Sequence, residues 1–114
     1  MELSCVLIEL KSGSLEKVQE WANFILANEE EAIATLAHEK VTIESFFLID
    51  IGGVDYLIGY MRAPSMSHAQ EAVKTSVSQI DQVHKAFKKE TWLGGKEATL
   101  LFDLSRIGNE QSLA

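Results

Sequence analysis

The sequence predicts an α+β fold: an antiparallel four-stranded sheet with two helices on one face, in the order βαββαβ. Three observations point to it. Two segments repeat apolar residues at helical spacing, and each follows a strand-like run. Two further strand-like runs meet at Gly52-Gly53 in the middle of the chain, the signature of a tight hairpin. The second of the four strands is apolar in both alternation classes, so its sheet has two faces to cover.

Strand one is read from Leu3 to Leu10, apolar with β-branched and polar interruptions, and Lys11-Ser12-Gly13-Ser14 closes it with a turn and a helix cap. Ser14 suits an N-cap because its hydroxyl accepts from a free backbone N–H, and Glu16 favours the positive helix end. Leu15, Val18, Ala22, Ile25, Ala32, Ile33 and Leu36 then recur at helical spacing, with Trp21 and Phe24 at the edge of the stripe, which carries helix one to about Glu39. Val41 to Asp50 and Val54 to Arg62, rich in β-branched and aromatic residues, are strands two and three. Pro64 stops the third strand, and Ser67 with Gln70 forms a capping box ahead of Ala69, Ala72, Val73 and Val77. Ser78 can cap a second segment carrying Ile80, Val83, His84, Phe87 and Thr91, so a bend or restart is expected at Ser76 to Ser78. Gly94-Gly95 is read as the end of that helix and Glu97 to Leu104 as the last strand. One domain over residues 1–106 and a short tail over 107–114 complete the expectation.

A crossover helix after strands one and three, with a central hairpin, is the split-βαβ or ferredoxin-like arrangement. Helices cover one face of such a sheet. Phe46 and Leu48 fall in one class of strand two, and Ile43, Phe47 and Ile49 in the other; in the last strand Leu100, Phe102 and Leu104 oppose Leu101. A monomer would expose more apolar surface than the roughly few hundred Å² that soluble monomers tolerate. A homodimer, sheet face against sheet face, is therefore expected, giving a dimeric α/β barrel.

Composition narrows the function. Net charge is −7, and no basic stripe is interleaved with aromatics, so nucleic acid is not an expected partner. The acidity is uneven: residues 1–57 hold three lysines against eleven acids, and residues 58–114 hold seven basic residues against six acids. Glu29, Glu30 and Glu31 and the cluster of Lys85, Lys88 and Lys89 read as solvated helix faces or as complementary patches between subunits. The lone Cys5 cannot form an internal disulfide, the start lacks the basic region of a secretory signal, and no apolar run approaches the roughly 20 residues of a membrane helix; a cytoplasmic protein without membrane contact is expected.

The chain resembles the dimeric α/β-barrel superfamily, which includes antibiotic-biosynthesis monooxygenases, haem-degrading monooxygenases, rhamnose mutarotases, muconolactone isomerases and stress-responsive barrel proteins. More narrowly, it resembles an uncharacterised bacterial family, a domain of unknown function. The resemblance rests on Lys11-Ser12-Gly13-Ser14, Glu44-Ser45-Phe46-Phe47-Leu48, Asp55 to Ala63, and Ile80-Asp81 followed by His84 and Phe87, and covers about residues 3–106. The better-known relatives lend no active site. The Asn and Trp expected on the strands of a haem degrader have no counterpart in Ser4-Cys5-Val6 or Ile58-Gly59-Tyr60, and the histidine that mutarotases place on helix one is replaced by Trp21, Ala22 and Asn23. Only a histidine on helix two fits.

That histidine is His84, on the apolar stripe of Val73, Val77, Ile80 and Phe87, with Asp81 three residues before it. A carboxylate near an imidazole holds one tautomer and raises its pKa, which is how a general base is oriented; the competing reading is a core histidine satisfied by Asp81 or a backbone carbonyl. Glu44 stands mid-strand, where a charge is costly unless paired or solvent-connected. Its partner depends on the hairpin. A two-residue loop sets Glu44 beside Met61, whereas a three-residue loop with a bulge pairs it with Arg62 and puts Tyr60 on the same face. Trp92 and Trp21 are read as a lid and a wall of the cleft, or as core. His38 and His68 sit apart at exposed-looking positions, no His or Cys pair has ligand spacing, and no phosphate loop or nucleophile elbow is present, so neither metal nor cofactor is expected. The expected site is thus His84, Asp81 and Glu44 for proton transfer, with Tyr60, Arg62, Trp92 and Trp21 contacting a small organic ligand. The alternative is a non-enzymatic binding or structural dimer in which His84 and Glu44 serve packing and subunit register.

Overall fold

A computed structural model describes residues 1–107; the expected tail lies outside them beyond Ile107. The chain runs β1 (Glu2–Leu10), α1 (Leu15–Ala27), α2 (Glu29–His38), β2 (Ile43–Ile51), β3 (Val54–Ala63), α3 (Met66–Thr75), α4 (Gln79–Thr91) and β4 (Trp92–Glu97). The sheet order is β2-β3-β1-β4, with every neighbouring pair antiparallel. This is the expected α+β architecture, with each crossover split into two helices. Among the described residues no helix is long and apolar enough to cross a membrane.

One face of the sheet is packed. Ile8 and Leu10 of β1 and Leu57 of β3 are buried with Val18 and Trp21 of α1 and Phe87 of α4, and a smaller cluster joins Val41, Ala63 and Ala69. The other face carries the alternate residues: Leu3, Cys5 and Leu7 from β1, Tyr56, Ile58 and Tyr60 from β3, and Ile43, Phe47, Ile49 and Ile51 from β2. Among the described residues no helix covers it, and Phe47 is 57% exposed.

Four expectations change. The stripe from Leu15 to Leu36 forms two helices, because the Asn28 side chain donates to Phe24 O (2.8 Å) and its own N–H points to Phe24 and Ile25 carbonyls (3.1 Å each). Those carbonyls are thereby spent, and Asn28 O restarts the ladder by accepting from Ala32 N at 2.9 Å. Glu29, Glu30 and Glu31 become the first turn of α2, where acids favour the positive helix end. Ser14 occupies the N-cap of α1 in a helical conformation (φ −87°, ψ −8°) and its side chain makes no cap hydrogen bond. The cap of α3 is Ser65, extended after Pro64 and accepting from His68 N at 3.2 Å, rather than Ser67. The restart at Ser76 to Ser78 is found, with Ser78 accepting from Asp81 N at 3.2 Å, and Val77 lies in the break, 87% exposed.

The fourth change concerns the last strand. It occupies Trp92–Glu97, ahead of the predicted Glu97 to Leu104. Helix α4 needs no left-handed glycine to stop, because Trp92 turns directly to extended backbone (φ −85°, ψ 129°). Of the two glycines, Gly95 serves packing instead. A Cβ on Gly95 would meet Val6 Cγ1 at 3.0 Å, so a larger residue there would push the Val6 side chain aside where β4 lies against β1.

Candidate functional site

The β2–β3 hairpin decides which side chains share a face. Gly52 and Gly53 both have positive φ (62° and 85°), Ile51 pairs with Val54, and the two-residue loop sets Glu44 opposite Met61. Glu44 and Phe46 therefore lie on the helix side with Leu57. Tyr60 and Arg62 lie on the open side. The structure does not bring them to Glu44: Arg62 Nε donates to the Tyr60 hydroxyl, and the guanidinium forks onto Asp103 at 2.7 and 3.1 Å. This corrects the reading in which Glu44 pairs with Arg62 and Tyr60 joins the His84 site.

On the helix side, His84 does point at the sheet, inside an aromatic box. Its ring lies 5.5 Å from Trp21, stacked, and stands edge-on to Phe46 at 5.8 Å and to Trp92 at 6.3 Å. Trp21 is buried rather than at the stripe edge, stacked on Phe87 at 4.3 Å. Gly59 leaves room for the Phe46 ring in the box, since a Cβ there would meet that ring at 3.0 Å. Trp92 closes one side, with Lys88 Nζ 4.9 Å from its ring centre. His84 is only half-buried, so the box opens to solvent along one edge.

Charged groups flank the box. Asp81, one turn before His84, is buried, and Glu39, at the C-cap of α2, is 4% exposed beside it. Burial, followed by the neighbouring Asp81 and Glu44 carboxylates, pushes the Glu39 carboxyl up to about 8. Burial pulls on Asp81 in the same direction, yet the Glu39 carboxyl and the Ser76 and Ser78 hydroxyls favour its ionised form, and its pKa ends below the usual value. Burial, with Lys88 close by, holds His84 down to about 4 against the pull of Asp81. Glu44 stands at the rim, open to solvent on one side, and packing of protein around its carboxyl raises its pKa although Lys88 opposes this. Lys88 is lowered, chiefly by burial. At neutral pH the cluster thus holds a protonated carboxyl, a carboxylate and a neutral imidazole together, and pKa values driven apart in this way suit acid and base roles.

Four buried polar atoms here lack any partner beyond the contact between the Glu39 and Asp81 carboxyls: Nε1 of Trp21, Nε1 of Trp92, Oε1 of Glu39 and Oδ2 of Asp81. These are all the unsatisfied buried side-chain atoms among the described residues. Sequence reasoning missed Glu39 and Lys88, although both were readable. Glu39 follows Ala32 and Leu36 at the stripe's own spacing, and Lys88 follows His84 by four residues. Each is an ionisable residue on an apolar stripe, the signal that singled out His84. Among the described residues no group of three or more His, Cys, Asp or Glu is placed to hold a metal ion. A separate shallow concavity of about 470 Å³ lies on the open face, lined by Leu7, Tyr56, Leu93 and Lys96, away from His84.

Residues 1–109 match a family described as of unknown function, DUF6176. No curated protein matches the chain. Among solved structures, protein Atu4242 from Agrobacterium tumefaciens is similar at 13% identity and a TM-score of 0.55, over 86% of this chain and 89% of that one. A de novo designed protein with a ferredoxin fold, LFR1 1, is similar at 15% identity and a TM-score of 0.54, over 92% of both chains. At these identities the likeness is one of fold, and it bears out the ferredoxin-like reading of the element order.

Proposed function

For this chain, which belongs to the DUF6176 family of unknown function, we propose a homodimer joined sheet face to sheet face that binds a small polar organic molecule beside His84. The reaction suited to the site is cofactor-independent proton transfer, as in isomerisation or mutarotation. The neutral His84 imidazole is the base, Asp81 sets its field, the protonated Glu39 carboxyl is the acid, Glu44 and Lys88 contact the ligand at the rim, and Trp21 and Trp92 wall it. Tyr60 and Arg62, on the open face, are left out of this site and belong to the subunit contact.

The observation that carries the reading is the gathering of two unpartnered indole N–H groups and the buried Glu39–Asp81 carboxyl pair at one end of the sheet's helix side, with a half-buried histidine between the indoles and Asp81. Each unpartnered N–H costs about 1–3 kcal/mol to leave unsatisfied, and a fold keeps several such groups in one place where a ligand completes them. A second reading is favoured by the ring stack itself: Trp21, Phe46 and Trp92 enclose His84 as they would a core aromatic. In that case the protein is a non-enzymatic binding or structural dimer.

Trp21 and Trp92 give the test its readout. Tryptophan fluorescence and thermal shift are followed against monosaccharides, lactones and small keto acids, with anomer exchange and deuterium wash-in measured by NMR for any that bind. Binding and exchange by wild type, with exchange lost in His84→Ala, is the expected result. Binding without exchange, or no binding across the panel, places the chain in the non-enzymatic class.

A further inference from the structure

One lysine of this chain is placed unlike the others. Lys17 and Lys74 pair with Glu90 and Glu71 at the surface, and Lys11 donates to Lys89 O. Lys40, Lys89 and Lys96 are exposed. Only Lys85 and Lys88 are half-buried, and Lys85 donates to Ser76 O at 3.3 Å. Among the described residues, Lys88 has neither a salt bridge nor a hydrogen-bond partner.

The surroundings of Lys88 are those of a reactive amine. It follows His84 by one turn of α4, and its Nζ stands 4.9 Å from the centre of the Trp92 ring, a wall of the aromatic box. Nε1 of the same indole is buried without a partner, so an unfilled donor lies beside the amine. Three carboxyls face Lys88: Glu44 from β2, Asp81 from α4 and Glu39 from the end of α2. A lysine that served structure alone would form an ion pair with one of them, and Lys88 forms none. Burial lowers its pKa, with Lys85 adding to the effect, although all three carboxyls pull the other way. Lysine attacks only as the free amine, and withdrawal from water is a recognised way of freeing it at neutral pH.

We infer that Lys88 is a covalent catalytic residue, which forms an imine with a small ketone or aldehyde carrying an acceptor oxygen on the carbon next to its carbonyl. The inference rests on the proton-transfer site proposed above and names its substrate class. The amine nitrogen bonds to the carbonyl carbon, and the carbonyl oxygen takes up a proton that the nitrogen gives up. The hydroxyl so formed leaves as water with the second nitrogen proton as the C=N bond closes, so nothing is oxidised or reduced. The oxygen next to the carbonyl accepts from Trp92 Nε1. Once protonated, the imine acidifies the hydrogens on its neighbouring carbon, and the neutral His84 imidazole takes one of them. Return of a proton from solvent, followed by addition of water to the C=N bond, releases the carbonyl compound and restores Lys88.

Sodium cyanoborohydride reduces imines in preference to carbonyls, so it fixes the adduct for mass spectrometry. The full chain is treated separately with pyruvate and hydroxyacetone, and peptide mapping locates the modified lysine. The expected result is one adduct per chain with at least one probe, formed at Lys88 at least about tenfold faster than at any exposed lysine, as a larger free-amine fraction requires. The adduct should persist in Lys85→Arg and disappear in Lys88→Arg, with circular dichroism reporting the fold of each; the wild-type map identifies the site without either variant. An adduct with pyruvate alone makes the acceptor group a carboxylate, and one with hydroxyacetone alone makes it a hydroxyl. Adducts spread evenly over the exposed lysines, or none at Lys88, overturn the imine. If His84-dependent exchange is still seen in that case, the proton-transfer site stands without it. An adduct at Lys88 with no deuterium wash-in supports the imine and overturns the proton-transfer reading.

Discussion

Each of the two faces of this sheet departs from the usual rule of burial in its own way. The helix-covered face conceals Glu39, Asp81, Lys88 and His84 beneath two helices, while the open face shows Ile43, Phe47, Ile49 and Ile51 to solvent. Ionised or unpartnered groups are costly inside and large apolar groups are costly outside. A monomer gains from neither arrangement. The open face makes sense when a second copy covers it, and the charged cluster makes sense when a ligand completes it.

The largest effect should separate the faces by mutation. Leu57→Ala, at a 2% exposed position, leaves a cavity and should cost about 2–5 kcal/mol in urea unfolding. Phe47→Ala lies on the open face of the neighbouring strand, one position from Leu57's partner Leu48, and in the monomer it should cost within about 0.5 kcal/mol while weakening self-association. Both are measured at several protein concentrations, because association and stability are linked. Equal, concentration-independent losses would mean that the open face is packed in some other way.

The sequence disclosed the sheet better than it disclosed the cluster, for a physical reason. Strand alternation and Gly52-Gly53 are local, so both the element order and the two-sided apolar character of β2 were readable. The choice between Met61 and Arg62 opposite Glu44 was not readable, since one residue of register swaps faces and only the closed turn fixes it. The last strand was placed too late because Leu100 to Leu104 has the stronger strand pattern, whereas Trp92–Glu97 won by lying beside β1, with Gly95 fitted to Val6. Glu39 was legible on the stripe but its pairing with Asp81 was not, because the Asn28 break re-aims α2 and brings its end over α4.

A second prediction addresses His84. Its folded pKa, about 4, lies below the ordinary 6.5, so the folded state resists protonation. The stability that neutral His84 retains above pH 6.5 is lost as pH falls toward 4. His84→Phe keeps an aromatic ring in the box and cannot charge. It should match wild type near pH 7 and exceed it by on the order of 2 kcal/mol near pH 4, seen as melting temperatures that diverge on acidification. Parallel curves would place a charged or solvent-relaxed imidazole in the box and remove the base from the proposed site.

Glu39 should behave with the opposite sign, in a window on the alkaline side. Its folded pKa is raised from 4.5 to about 8, so its contribution is fully present below pH 4.5 and is lost as pH rises through 8. Glu39→Gln holds the neutral form at every pH. Its melting temperature should agree with wild type near pH 4.5 and rise above it as pH increases to 9. If the curves stay together across that window, the carboxyl is ionised at neutral pH and cannot serve as the acid.

The smallest effect tests what holds Glu39 in place. Helix α2 ends with Lys40 N donating to Ala37 O (3.2 Å) and Val41 N to Leu36 O (2.9 Å), a Schellman turn that needs a left-handed residue at position 40. That residue is Lys40, at φ 61°. Glycine has no Cβ to strain there, so Lys40→Gly should stabilise by about 0.5–1 kcal/mol. Because the turn itself is retained, the pH window assigned to Glu39 should not move. A gain in stability with an unchanged window would mean that the turn aims the carboxyl at Asp81 whatever side chain stands at 40. A window that shifts with the variant would mean that the lysine, rather than the backbone, sets the charge on the buried side of the sheet.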